Sequence, residues 1–339
     1  MRILYIGQLW EGGTCVERMR VLEQLGFDIL PFDTTPFATA ATRIERSLAQ
    51  RANIGRGISH LNAKLMVLTK EARFDAVWID KGVWIYPETV TTLRARSERR
   101  IAVHYTPDPQ ILDNRSRHFL QSIPIYDLLV TTKPFELERY RAHHANSILL
   151  VLQGYGRQFV PRVPTESDLS CFSSDVCFIG HCESHYAARM KAVHKETKCI
   201  QIWGPRWPRY AQFHPWARPL VRGEGIWGDR YPLALSCAKI AVGLLSKLVP
   251  ETTTTRTFEI PAIGMFMLAE RTPDHLELFE EGEEAQFFAD DDELRDKIRF
   301  YLGHDAARIQ IAAAGRERCL KSGYSVEHQL RRVVEKLPP

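Results

Sequence analysis

Short, continuously apolar runs alternate with longer amphipathic ones along nearly the whole chain, and this limits the fold more than any other feature. "RILYIG" stops at "EGGT" and gives way to "CVERMRVLEQLG", whose apolar residues recur at helical spacing. The alternation continues through "FDILPFD", a long polar helix-like segment from Thr39 to Ala72, then "FDAVWID", "RIAVHYT", "DLLVTT" and "SILLVLQ". A strand that is apolar on both faces must be covered on both, and a parallel sheet with crossover helices does this. The first half of the chain therefore reads as an α/β unit.

After Gly154 the stretch "GYGRQFVPRVPTESDLSCFSSD" is rich in Pro, Ser and Gly and has no periodicity, so it reads as a linker. The alternation then restarts with "VCFIGH", a helix to about Lys195, "CIQIWG", an irregular aromatic stretch and "AKIAVGLL". "GMFMLA", "AQFFA" and three helical segments follow. With 339 residues, two consecutive βα domains fit the length. The expected boundaries are 1–160, a linker over 161–174, 175–323, and a last helix over 324–339. Ligands of such folds bind outside the carboxyl ends of the strands, which points to a crevice between the domains.

Composition excludes several classes. Apolar residues make up 45% and charged residues 25%, and the net charge is only +4. That is ordinary for a globular protein and far from the polybasic surface of a dedicated nucleic-acid binder. Seven cysteines without any C-x-x-C spacing read as free, mostly buried thiols in a reducing compartment, not as a zinc site or disulfide framework. "MRILYIGQLW" lacks the length and cleavage site of a signal peptide. "IPAIGMFMLA" is about half the ~20 residues of a spanning helix. The expectation is a cytoplasmic protein with no transmembrane segment, with peripheral membrane contact left open.

The stretch "PETTTTRTFEIPAIG" carries the densest chemistry. Proline is accepted only near the first turn of a helix, so Pro261 predicts a helix that starts no earlier than Arg256 or Thr257. Gly264 ends it and "MFMLA" follows as a strand. Thr254, Thr255, Arg256 and Thr257 then sit where helix amides, hydroxyls and a guanidinium suit a phosphate. Glu259, in the first turn, suits the two vicinal hydroxyls of a ribose. The alternative is that Thr257 caps the helix and Glu259 offsets its dipole.

Elsewhere, Gly180 closes an apolar run before a helix bearing Arg189, a phosphate contact or a plain tight turn with a surface arginine. "RIAVHYTPDP" places His104 near a strand end and Asp108 just beyond, as a general base or as polar loop residues. Asp80 and Lys81 end another strand, as a salt bridge or in the cleft. Gly12 and Gly13 precede a helix without G-x-G-x-x-G, which argues against dinucleotide binding. "WGPRWPRYAQFHPWARPLVRGEGIWGDRY" interleaves aromatics with arginines, either as a stacking surface for single strands or as a loop lining a ligand crevice.

The run "RTFEIPAIGMFMLAERTPDHLELFEEGEEAQFF", with "DDDELRDKIRFYL" and "RIQIAAAGRERCLKSGYS", resembles the two-domain GT-B glycosyltransferases. The likeness is greatest to the CgeB-like group, named after a spore-maturation protein, with its glycosyl transferases group 1 C-terminal domain. It covers about 175 to 330, and "WIDKG", "HYTPD" and "YDLLVTTK" extend it more weakly into the first half.

The resemblance implies two Rossmann-like domains with parallel sheets facing across a central cleft. The second would bind a nucleotide-diphospho-sugar donor (UDP-, GDP- or dTDP-), and the first a glycan, protein or small-molecule acceptor. Glu251 and Glu259 match the E-x7-E motif of related enzymes, although "EIPAIG" stands where those read like "EAMACG". The match implies ribose contact for Glu259, a place for Glu251 near the transferred sugar, and a retaining outcome. It implies donor contacts from Gly180, Arg189, Trp203, Gly204, Ile226 and Trp227. His104 and Asp108 fall in the implied active-site loop, and Gly12, Gly13 and Lys81 on the acceptor side. It implies no metal and no other cofactor, and a last helix that crosses back to the first domain. Competing readings are a nucleotide-sugar epimerase, a non-catalytic nucleotide-sugar binder, and a nucleic-acid binder built on the arginine–aromatic stretch.

Overall fold

The apolar runs pair as parallel strands throughout, in two six-stranded sheets, within a computed structural model that describes residues 1–39 and 53–338. The chain divides into two compact units, one of residues 1–153 with 326–339 and one of residues 154–325.

In the first unit the strands are β1 (Arg2–Gly7), β2 (Asp28–Asp33), β3 (Ala76–Asp80), β4 (Ile101–Thr106), β5 (Leu128–Thr131) and β6 (Ile148–Leu150). They lie in the order β2-β1-β3-β4-β5-β6. Alternate residues point to opposite faces, and both faces are apolar. Ile3, Tyr5, Trp78, Val103 and Tyr105 pack on one face with Val21 and Leu22 of the helix Thr14–Gln24. Leu4, Ile6, Val77, Ile79 and Ala102 pack on the other with Leu61 and Leu65 of the helix Arg56–Glu71. Tyr5, Trp78 and Tyr105 stack across neighbouring strands at centroid distances of 6.3 and 5.9 Å. The helix Val326–Val334 returns to this unit: Val326, Leu330 and Val333 complete the Tyr5 face, and Gln329 Oε1 accepts from the Leu152 amide at 3.1 Å.

In the second unit the strands are β7 (Ser174–Ile179), β8 (Ile200–Trp203), β9 (Val221–Gly223), β10 (Ala238–Gly243), β11 (Met267–Glu270) and β12 (Gln286–Phe288). Their order is β12-β11-β10-β7-β8-β9. Tyr186, Met190 and Val193 of the helix Ser184–Glu196 pack against the sheet with Leu294 and Ile298 of the helix Asp291–Leu302.

Each sheet has a point where the chain reverses its direction of travel across the sheet, between β1 and β3 in the first and between β7 and β10 in the second. In open parallel sheets, ligands bind outside the carboxyl ends of the strands at such a point.

Three readings of the sequence change. The supposed linker contains the helix Glu166–Phe172, started by a capping box in which Thr165 and Asp168 bond each other's backbone amides. The irregular aromatic stretch contains the helix Trp207–Phe213, strand β9 and the helix Arg230–Ser236. The helix-like segment from Thr39 to Ala72 is in part the helix Arg56–Glu71, after a short helix Thr35–Thr39, while residues 40–52 lie outside the described residues.

Candidate functional site

Arg256 opens the short helix Arg256–Ala262, and its guanidinium lies across the reversal point of the second sheet. Nη1 donates to the Ile179 carbonyl at the end of β7 (3.1 Å), and Nη2 donates to the Leu244 carbonyl just beyond β10 (3.0 Å). The planar fork suits two carbonyls at once, which a lysine could not reproduce. The same side chain lies 5.7 Å over the Phe178 ring. Gly180 makes room for it, since a Cβ there would come within 3.1 Å of Arg256 Nη1. Gly204 is still more restricted: at φ +149° its backbone passes so close to Gly180 that a Cβ would sit 1.9 Å from the Gly180 carbonyl oxygen. The Gly180 amide donates to Trp203 O at 2.9 Å, and the Gly180 carbonyl accepts from the Trp207 indole at 3.0 Å. The glycines therefore serve close backbone packing at the strand ends, with the Trp203 ring tilted against Phe172 at 6.2 Å.

The threonine loop is held from within. His275 Nδ1 lies 2.6 Å from the Glu270 carbonyl, so it carries the proton, and Nε2 accepts from the Thr257 hydroxyl at 2.9 Å. Thr257 Oγ1 in turn accepts from the Thr254 amide at 3.1 Å. Burial lowers the His275 pKa despite that carbonyl and keeps the ring neutral. Thr255 starts the helix through its carbonyl, which accepts from the Phe258 and Glu259 amides, and no side chain caps it. The Thr254 backbone and the Thr257 hydroxyl are thus committed to shaping the loop.

Glu259 is buried, and its Oε2 accepts from Tyr231 Oη at 2.6 Å. Burial, and then the Glu259 charge, raise the Tyr231 pKa well above its ordinary value, so the phenol stays a donor. Glu251 accepts from the Ser246 amide at 3.4 Å, and Ser246 Oγ donates to Glu183 at 3.0 Å. Glu270, at the end of β11, gathers the Leu245 amide (2.9 Å), His185 Nε2 (3.0 Å) and Lys247 Nζ (2.6 Å). Burial works to raise its pKa, but these donors outweigh it and the net shift is downward. The sequence singled out neither Glu270, His185, Lys247 nor Tyr231. Their common signal was position: each lies at or just beyond the carboxyl edge of a strand, or on a helix that faces that edge.

Other expected donor contacts are occupied or dispersed. Arg189 forms an ion pair with Asp291 at 2.5 Å and lies 5.7 Å from the Phe288 ring, so it ties helix Ser184–Glu196 to the start of the helix Asp291–Leu302. The guanidinium expected at a phosphate is engaged by Asp291. Ile226 is buried, whereas Trp227 is 55% exposed and folds over Gly225. Trp207 and Tyr210 of the arginine–aromatic stretch pack edge to face at 5.6 Å and join the core, so they offer no open stacking platform.

In the first unit, His104 is 0% exposed, against Phe119 and Tyr126 at 4.4 and 5.1 Å. Nε2 donates to the Lys81 carbonyl at 3.0 Å, and Nδ1 is buried without a partner. Burial pushes its pKa down to about 4. His104 thus sits inside β4, two residues before the end of the strand, as a neutral buried histidine. Asp108 is at that edge, 2.6 Å from Lys81 Nζ. Burial works to raise the Asp108 pKa, but Lys81, helped by Lys133 and Arg18, lowers it overall. Lys81 has a left-handed backbone at φ +68°, pinned by its amide bond to Tyr105 O at 2.8 Å. Asp80 belongs to a closed network: Arg18 Nε and Nη2 donate to its two oxygens at 2.7 and 2.9 Å, and Tyr5 Oη donates at 2.7 Å. Gly12, at φ +85°, and Gly13 form the tight turn on which Trp10 folds back, with the Gly13 amide donating to Trp10 O at 3.0 Å.

The same architecture recurs in solved structures. HepE of Anabaena, in complex with UDP and glucose, superposes with a TM-score of 0.66 at 15% identity over 99% of this chain and 98% of its own. Sucrose-phosphate synthase of Thermosynechococcus elongatus gives 0.68 at 14% identity over 99% and 98%. The fold is GT-B. A Listeria monocytogenes protein described as a UDP-N-acetylglucosamine 2-epimerase shares the GT-B likeness at a TM-score of 0.57 and 11% identity, over 98% and 94%. Residues 187–335 match a family model described as glycosyl transferase-like, which covers most of the second unit of this GT-B chain. No curated protein matches the chain in sequence. Among the described residues no three His, Cys, Asp or Glu side chains are grouped to hold a metal ion, and no helix is long and apolar enough to cross a membrane.

Proposed function

We propose that this protein is a glycosyltransferase that moves a sugar from a nucleotide-diphospho-sugar to an acceptor hydroxyl, without a metal and with retention at the anomeric carbon. The carrying observation is Arg256 across the β7/β10 reversal point, within the segment that matches the glycosyl transferase-like model, with Lys247 on the loop that follows β10. A fixed guanidinium and a half-exposed ammonium at strand ends stabilise charge that develops on a departing diphosphate. Glu259, held by Tyr231, would take the ribose, and Glu251, on the Ser246 amide, would lie toward the transferred sugar. Asp108 with Lys81 would face the acceptor. The UDP and UDP-glucose complexes of Anabaena HepE make uridine the first base to test. Within the class, the sequence resemblance to the CgeB-like group is the guide to acceptor chemistry.

Melting curves with UDP, GDP and dTDP test the donor site. A nucleotide at about 100 times its Kd stabilises the fold by about 2.7 kcal/mol. One of the three is expected to raise Tm, and Glu259→Ala to abolish that rise while its ligand-free melting stays cooperative. A rise that survives in Glu259→Ala removes the ribose assignment. The absence of any rise with all three removes the donor site.

The epimerase likeness supports a second reading. It predicts a new sugar epimer by proton NMR when UDP-N-acetylglucosamine is incubated with the protein and no acceptor. The transferase reading predicts only slow hydrolysis.

A further inference from the structure

A cavity of about 180 Å³ opens at the carboxyl edge of the first sheet, bounded by Ile6 from β1, Thr34 beyond β2, Asp80 from β3 and Asp108 beyond β4. It is smaller than the roughly 300–1,000 Å³ of sites for drug-sized ligands, so it has room for a single ring and not for a nucleotide.

The charges in its wall are already paired. Asp80 is matched by Arg18 at 2.7 Å, and Asp108 by Lys81 at 2.6 Å. A phosphate or carboxylate entering here would meet no unmatched positive charge among these lining residues. What the wall does offer is neutral and mixed: the amides of Gln8, Gln110 and Asn114, the Thr34 hydroxyl and the aromatic surface of Trp84. Such groups both donate and accept, as sugar hydroxyls do.

Gln110 points to a missing ligand. It is 1% exposed, lines the cavity, and its Nε2 has no hydrogen-bond partner. A buried donor left unsatisfied is unfavourable and requires an explanation. The Gln110 backbone is held in place. Glu136, itself fully buried, accepts from the backbone amides of Gln110, Ile111 and Leu112 at 2.9, 2.8 and 2.9 Å and clamps the turn. The backbone is fixed and the amide stays unpartnered, as in a site built for an incoming oxygen.

We propose that this cavity binds one uncharged pyranose ring, the sugar that presents the acceptor hydroxyl. Gln110 and the Lys81–Asp108 pair would bind its hydroxyls, and Trp84 its apolar face. The acceptor role rests on the glycosyltransferase reading. Binding of the ring does not.

The test is calorimetric titration of the full chain with methyl glucoside, methyl galactoside, methyl mannoside, glucose 6-phosphate and glucuronate, with UDP titrated in parallel. At least one methyl hexoside is expected to bind, and more tightly than either charged sugar. Gln110→Leu should weaken that binding about fivefold, the equivalent of one lost hydrogen bond. Thr34→Val, at the cavity wall, should weaken it as well, and both variants should keep the parent far-UV circular dichroism and UDP affinity. Tighter binding of the charged sugars, no binding of any methyl hexoside, or unchanged hexoside affinity in a folded Gln110→Leu or Thr34→Val overturns the proposal. A hexoside that binds while UDP does not would remove the donor reading and leave this cavity assignment standing.

Discussion

Two buried side chains in the first unit show what a charge or a proton means at a strand edge. Asp80 and Arg18 are almost wholly shielded from water, with side-chain exposures of 0% and 4%. Removing one member of such a pair leaves the other charged and desolvated. Asp80→Ala is therefore expected to lower unfolding free energy by about 3–5 kcal/mol in urea titrations. A loss below ~1 kcal/mol would mean that water reaches Arg18. For His104 the sign follows from protonation. Its pKa in the fold is pushed down to about 4, against 6.5 for an unperturbed imidazole. At pH 7 both folded and unfolded forms are neutral. As pH falls below 6.5 the unfolded ring takes up a proton that the folded ring refuses, so stability is lost down to about pH 4. The loss amounts to about 3 kcal/mol. His104→Phe should flatten the pH dependence of urea midpoints in that window; an unchanged slope would assign it to other groups. The sequence placed His104 near the end of its strand but did not give its depth, because every residue of a strand buried on both faces looks alike in hydropathy. Only Pro107 and Asp108 mark where the chain leaves the sheet. Arg256 was legible as a positive charge, but its partners were not. Ile179 lies 77 positions away and Leu244 12, and no local pattern connects them.

At the scale of elements, continuous apolar runs identified eleven of the twelve strands among the described residues, because parallel strands have no polar face to confuse the pattern. The exception, β9, has only three residues, one of them exposed, and too little buried surface to register. The helix Glu166–Phe172 was hidden by its Pro- and Ser-rich surroundings, although Thr165-x-x-Asp168 is a recognised start signal. The edge of the second sheet gives a direct test. Gly204 lies against Gly180 with no space for a methyl group, in a backbone region closed to L-residues. Gly204→Ala should lower stability by about 1–3 kcal/mol from overpacking, with backbone strain in addition. It should also displace Arg256, so affinity for whichever of UDP, GDP and dTDP stabilises the parent should fall with stability. An alanine variant as stable as the parent would show that the two loops can separate freely.

For the whole molecule, the decisive feature is that the first unit is built from two distant parts of the chain. Leu330 and Val333 are fully buried in the same cluster as Ile3 and Tyr5 of β1. Leu330→Ala should destabilise the first unit by about 2–5 kcal/mol. Hydrogen exchange is the appropriate measurement, since it resolves the units. Amides of β1, β3 and β4 should lose protection while those of β7 and β10 keep theirs. Equal loss in both units would show that they unfold as one.

That arrangement also sets an order of events during synthesis. Residues 1–153 emerge from the ribosome first, yet Leu330 and Val333 emerge only after all of 154–325. The later unit has every residue of its own core before the earlier one does. The nascent first sheet must remain without part of its cover for the time taken to translate about 170 residues, some 10–30 s at typical rates. A chaperone that shields apolar sheet surface would find its substrate in that interval, and after release it would find none.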